Sequence, residues 1–273
     1  MRWKTVGALL VAGLLAIGVG AGHAQRIFSG FYGTTPPRFA TANSFHGGFT
    51  FCRAMFSSNR REKRGWDTDY PGADINFSIR LSELTKTRTV KQPTGTDPEH
   101  VVVRLTDPEL FHCPYLLMED AGTISLRDDE IAPFREYLMK GGFVFVSDYW
   151  GPLAREQFDE EIGRVLPPAD FPTVDLPINH PLWRTQFQLD ELPQMPSIQS
   201  WRRSGGNTDR GVTDPPNARA ITDSQGRLMV VMIHNSDIPD GWEREGEDPQ
   251  YFYQFSPHAY AVGIDIFLYA ITH

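Results

Sequence analysis

Asp148 is the residue whose type and position most invite a chemical role. It follows the apolar run Phe143-Val144-Phe145-Val146 and opens Asp148-Tyr149-Trp150-Gly151. This is the strand-to-helix turn on which many α/β enzymes carry a nucleophile. A carboxylate there can serve as a base, a cation ligand or an acceptor for a sugar hydroxyl. Asp148 or its neighbour Ser147 could equally cap the helix that follows. His180, in Asn179-His180-Pro181-Leu182, completes an acid–base pair with Asp148 if its loop folds back over that turn. Two further runs mix carboxylates with aromatic rings. Between Trp66 and Phe77 lie Asp67, Asp69, Asp74 and Asn76, whose spacing matches no EF-hand loop. Asp69 therefore reads as a helix N-cap ahead of Pro71, and no metal is expected. Trp66 and Tyr70 beside these carboxylates suggest a sugar-stacking surface. In Asn235-Ser236-Asp237-Ile238-Pro239-Asp240-Gly241-Trp242, turn chemistry accounts for Asp240-Gly241, which leaves Asn235 and Asp237 as site candidates.

These residues share one location if the chain is a doubly wound α/β domain. Gly48 to Phe56, Val101 to Leu105, Tyr115 to Met118 and Phe143 to Val146 read as strands rich in β-branched and aromatic residues. Between them, Phe77, Leu81 and Leu84 form one helical stripe, and Ile131, Phe134 and Leu138 form another. Pro133 predicts a late start or a kink in that second helix. A further helix is expected from about Pro152 to Val165, then a loop-rich excursion over residues 166–217. Ala218 to Thr222 and Leu228 to Ile233 flank a turn and read as an antiparallel hairpin, and a last helix starts at Ser256-Pro257. Strand alternating with helix predicts right-handed βαβ units and a mainly parallel sheet. Its ligand crevice lies at the carboxyl ends of the strands. The residues at or just past those ends are Arg53, Asp107, Glu119, Asp148 with Tyr149 and Trp150, and Asn235 with Asp237. With Asp67 and Asp69 they form the candidate ligand-binding set, and Asp148 with His180 the candidate catalytic pair.

The composition narrows what the cleft could take. The chain has 273 residues and 26 basic against 34 acidic side chains, a net charge of −8 that argues against nucleic acid. Gly-rich phosphate loops, H-E-x-x-H and S-x-x-K are absent, so no cofactor is expected. Arg2 and Lys4, the apolar run Val6 to Gly20 and the small residues around His23 have the layout of a secretory signal cleaved after Ala24. The alternative is an uncleaved N-terminal anchor. On the first reading the protein is periplasmic or extracellular and keeps no membrane span after cleavage. Residues 25–47 form an extended lead-in, and 48–273 form one domain. Cys52 and Cys113 both border apolar runs, which suits buried thiols, while an export route would also permit a bridge; their pairing is left open.

Several of these stretches together resemble the DUF4159 family of uncharacterised bacterial proteins. They are Phe51-Cys52-Arg53, Trp66 to Phe77, Leu105 to Phe111, Leu138 to Phe143, Asp148-Tyr149-Trp150-Gly151, His180-Pro181 and Tyr269-Ala270-Ile271-Thr272. The resemblance implies a flavodoxin-like fold similar to the class I glutamine amidotransferase-like and ThuA-like group, and no established activity. Glutaminases of that group carry a Cys on the turn where this chain has Ser147-Asp148, which puts glutaminase chemistry in doubt. Three functional readings follow: a small polar ligand, a carbohydrate among the candidates, bound at the strand ends; a hydrolase or lyase using Asp148 and His180; or a non-catalytic interaction module of the cell envelope.

Overall fold

Strands buried on both faces need continuous apolar sequence, and the central strands have it. The computed structural model describes residues 35–59, 65–93 and 95–273. The strands are β1 (Phe51–Met55), β2 (His100–Arg104), β3 (Leu116–Glu119), β4 (Val144–Ser147), β5 (Thr173–Asp175), β6 (Asn217–Thr222) and β7 (Leu228–His234). They form one seven-stranded sheet in the order β2-β1-β3-β4-β7-β6-β5. Every pairing from β2 to β7 is parallel, and β7-β6-β5 is antiparallel. The parallel part has the 2-1-3-4-5 order of the flavodoxin-like doubly wound sheet, with β7 as its fifth strand.

Among the described residues six α-helices accompany the sheet: α1 (Gly72–Leu84), α2 (Asp128–Met139), α3 (Gly151–Val165), α4 (Ile198–Ser204), α5 (Asp240–Glu243) and α6 (Pro249–Thr272). Side chains alternate faces along a strand. Phe51, Tyr115, Leu117, Phe145, Val231 and Ile233 make one row, packed with α1, α5 and α6 into the main core. Phe77 of α1 is central to it, with ring centroids 5.6 Å from Phe51, 4.6 Å from Trp242 and 6.2 Å from Phe267. Removing such a ring costs about 3–5 kcal/mol. Gly263 lets α6 approach closely, since a Cβ there would lie 2.3 Å from the Trp242 ring. The alternate row faces α2 and α3, which pack on each other across the sheet from α6.

Several boundaries differ from the sequence reading. Helix α2 starts at Asp128 and runs through Pro133, because Glu130 reaches back 2.8 Å to the Arg127 amide and secures the first turn. Helix α6 starts at Pro249 rather than at Ser256: Asp248 accepts the amides of Gln250 and Tyr251 at 2.8 and 3.3 Å, and Pro257 is held inside the helix. The excursion carries β5 and α4. Cys52 and Cys113 form a disulfide that ties β1 to the approach to β3. Residues 38–273 make up one compact unit. The expected signal segment lies outside the described residues. Among those described, no helix is long and apolar enough to cross a membrane.

Candidate functional site

Each central strand row that faces α1 and α6 starts apolar and ends polar. Phe51 is followed two residues on by Arg53, Leu117 by Glu119, and Phe145 by Ser147. The polar ends collect at the carboxyl edge of the sheet, beneath the N-terminal turn of α1. Arg53 is wholly buried and fully used. Its Nε donates to Asp74 of α1 at 3.0 Å, and its Nη1 donates to the carbonyls of Trp66 (3.1 Å) and Thr68 (2.7 Å) and to Glu119. This guanidinium therefore braces the floor of the site from within. Glu119 gives Oε2 to Arg53, while its Oε1, equally buried, meets no donor.

Above that floor lies a cleft of about 360 Å³, walled by Asp69, Asp120, Asp148, Asp237 and Asp240, with Arg210 across it. Arg210 donates to Asp120 at 3.0 Å and to Asp148 at 2.8 Å. Trp150 holds the other oxygen of Asp148 through its indole N–H at 3.0 Å. Asp237 accepts the Asp240 amide at 3.1 Å. Asp240 accepts the Ile198 amide and the Tyr251 hydroxyl, each at 2.8 Å. The chain leaves the strands in sharp turns. Asp69, Asp120, Asp148, Arg210 and Asn235 are the non-glycine residues with left-handed backbone among those described, at φ between 49° and 59°. Asp and Asn tolerate that region better than other L-residues. Asn235 also accepts the amide of Gly151 at 2.9 Å, where φ of +79° favours glycine.

So many carboxylates in one place raise each other's proton affinity. Burial, then repulsion from Glu243, pushes Asp69 up to about 7. Burial and then Asp69 push Asp240 up to about 7. Glu119, Asp148 and Asp237 are pushed well above the ordinary carboxylate range, chiefly by burial. Such a cluster can accept hydrogen bonds from hydroxyl or ammonium groups, hold a proton, or ligate a hard cation.

The model of a domain of unknown function, DUF4159, matches residues 56–271. The chain belongs to the DUF4159 family. No curated protein matches its sequence. The matched span of the DUF4159 domain takes in every cleft residue named above, while Arg53 lies just ahead of it.

The DUF4159 cleft gathers some of the residues singled out from sequence and leaves others elsewhere. Asp69, Asp148 and Asp237 line it, and Glu119 lies at its floor. Arg53, Trp150 and Asn235 brace it through the bonds just given. Asp67 sits half-buried in the turn before α1 and does not line the cleft. Asp107 accepts the Arg104 amide at 2.9 Å and closes a local turn after the edge strand β2. Tyr149 points to the opposite face, its ring 4.8 Å from His234 and 5.6 Å from Phe158. Trp66 is buried and offers no stacking surface. His180 is the clearest correction. Its ring lies 5.7 Å from Tyr269, near the far end of α6, whereas Tyr251 near the start of α6 reaches Asp240 in the cleft. Eighteen helical residues separate the two tyrosines, roughly 27 Å at ~1.5 Å per residue, well beyond hydrogen-bond reach. The excursion does fold back over Asp148, but it brings Arg210 there. Asp120, Arg210 and Asp240 are the cleft residues named above that the candidate set left out. Arg210 stands in a stretch without period, and the turn chemistry of Asp240-Gly241 masked its second role. For Asp120 the available signal was its place directly after Glu119 at the end of β3.

Proposed function

We propose that this DUF4159 protein is exported and binds a small polar ligand, rich in hydroxyl or amino groups, in the acidic cleft at the strand ends. The observation that carries the reading is the convergence of Asp69, Asp148, Asp237 and Asp240, from three different chain segments, on one cleft of about 360 Å³. Preorganised carboxylates of this kind accept hydrogen bonds from donors that arrive already close-spaced on one small molecule. A carbohydrate would be held there by hydrogen bonds alone, since no aromatic ring lines the cleft among the described residues. Glutaminase chemistry on cysteine finds no support. The sequence holds 2 Cys, and both are in the disulfide. Export is supported by the N-terminal layout and by that disulfide, which persists in oxidising compartments. N-terminal sequencing of the exported protein should begin at Gln25.

Thermal shift against a panel of monosaccharides, polyols and polyamines tests the ligand reading. A true ligand at 100 times its Kd stabilises the wild type by about 2.7 kcal/mol. Asp148→Asn should lose most of that shift. Equal stabilisation of both proteins removes Asp148 from the site, and a panel without any shift overturns the reading.

A further inference from the structure

We propose that Asp69, Glu119 and Asp237 bind a hard divalent cation at the floor of the cleft, one carboxylate oxygen from each serving as ligand. The three offer ligand atoms that all lie within 4.8 Å of one another. Two ligands opposite each other across a cation at the ~2.4 Å of calcium–oxygen bonds are about 4.8 Å apart, so the spacing suits one ion. With only carboxylates in the set, Ca²⁺ and Mg²⁺ are favoured over soft metals, which seek sulfur and imidazole.

Crowded carboxylates alone would say little. The deciding observation is the state of the individual oxygens. Glu119 is wholly buried, and its Oε1 has no hydrogen-bond donor. Oδ2 of Asp69 is likewise buried without a donor. A buried carboxylate oxygen left in that condition is destabilising, so native structures supply a partner. The side chains around the site supply none. Arg53 is committed to Asp74, to Oε2 of Glu119 and to two carbonyls. Arg210 is committed to Asp120 and Asp148.

A second grouping, Asp69 with Asp240 and Glu243, is equally compact. Its other two members already have partners: Asp240 accepts from Ile198 and Tyr251, and Glu243 is ion-paired with the Arg244 guanidinium at 2.6 Å. In the Asp69–Glu119–Asp237 set Arg53 is, among the described residues, the one cation hydrogen-bonded to a member, and it reaches only Oε2 of Glu119. Asp69 and Asp237 also line the open cleft, so water or a bound molecule can complete the coordination shell from that side. The cation site stands whether or not the cleft takes an organic ligand.

The test uses the full-length protein stripped with chelator and then titrated with CaCl₂, MgCl₂ or MnCl₂ alone. Isothermal titration calorimetry and thermal shift supply the readouts. We expect saturable binding of one ion per chain with a rise in Tm. Asp237→Asn should weaken it at least tenfold, and Glu119→Gln as much or more. Glu160→Gln, an exposed carboxylate on α3, should bind like the wild type. If Glu119→Gln fails to fold because Arg53 loses its partner, Asp237→Asn and the wild-type titration still decide. Preference for calcium or for magnesium identifies the ion, and either supports the site. The proposal is overturned if folded wild type shows no saturable response to any of the three. It is equally overturned if Asp237→Asn responds as the wild type does. A Tm that follows pH and ignores all three ions would mean that a shared proton, and no metal, occupies the gap.

Discussion

Removing Arg210 should reveal how far the excursion holds the cleft together. Its guanidinium spans Asp120 at 3.0 Å and Asp148 at 2.8 Å, and each carboxylate side chain is only 1% exposed. Stripping one partner from a fully buried ion pair costs about 3–5 kcal/mol, because the remaining charge is stranded. Arg210 is itself 33% exposed, so water screens part of the interaction. Exposed pairs contribute about 0.2–1 kcal/mol, which sets the opposite limit. Weighting toward the buried carboxylates gives roughly 2–3 kcal/mol for Arg210→Ala. In a domain of this size that is a fall in Tm of about 4–12 °C. Urea denaturation of wild type, Arg210→Ala, Asp148→Asn and the double variant closes a double-mutant cycle. The coupling energy should be about 1–2 kcal/mol, since Asp148→Asn removes the stranded charge and recovers part of the loss. A coupling below about 0.3 kcal/mol, with Arg210→Ala within about 0.5 kcal/mol of wild type, would refute the reasoning. Arg210 would then be a surface residue that merely rests on the cleft.

Other expectations address separate parts of the molecule. Gly263→Ala places a methyl 2.3 Å from the Trp242 ring and 2.8 Å from Phe77, and should destabilise by about 1–3 kcal/mol in urea. Unchanged stability would mean that α6 can shift outward freely. Breaking the Cys52–Cys113 bridge, which spans 61 residues, should cost about 4 kcal/mol on loop entropy, and equally from either cysteine to alanine. Asp265 is pushed up to about 6 by burial, against about 3.9 in an unfolded chain. Its folded carboxyl therefore holds a proton that the unfolded one has released, so its contribution is fullest below pH ~4 and is lost as pH rises to ~6. Asp265→Asn should flatten the pH dependence of unfolding across that window. A slope matching wild type would contradict the burial argument.

How legible was this in the sequence? The parallel strands announced themselves because burial on both faces demands uninterrupted apolar residues, as in Phe143 to Val146. The mainly parallel sheet and the carboxyl-edge cleft followed from alternation with helices, and the flavodoxin-like arrangement from the family resemblance. Glu119, Asp148 and Asp237 were found because strand ends are local features, and Asp69 because its run is dense in carboxylates and aromatic rings. Arg210 was invisible for the converse reason: nothing in residues 166–217 encodes the path that carries it back over Asp148. His180 was misread by the same ignorance of that path. Asp107 and Tyr149 show the limit of reading strand ends as a class. Asp107 follows the edge strand β2, away from the cleft, and Tyr149 turns to the far face of the sheet. The start of α6 was legible in Asp248-Pro249, but Ser256-Pro257 offered a competing signal of the same kind.

The left-handed turns around the cleft separate two tasks that a chain usually performs at once. At Asp69, Asp120, Asp148, Arg210 and Asn235 the backbone takes a shape that glycine would accept without strain. A sequence shaped only to make these turns could carry glycine in them without backbone strain. What such a chain would lack is everything that reaches into the cleft or braces its rim. Asp69→Gly would thus blank part of the recognition surface while easing the backbone, whereas Arg210→Gly would also strand the Asp120 and Asp148 carboxylates.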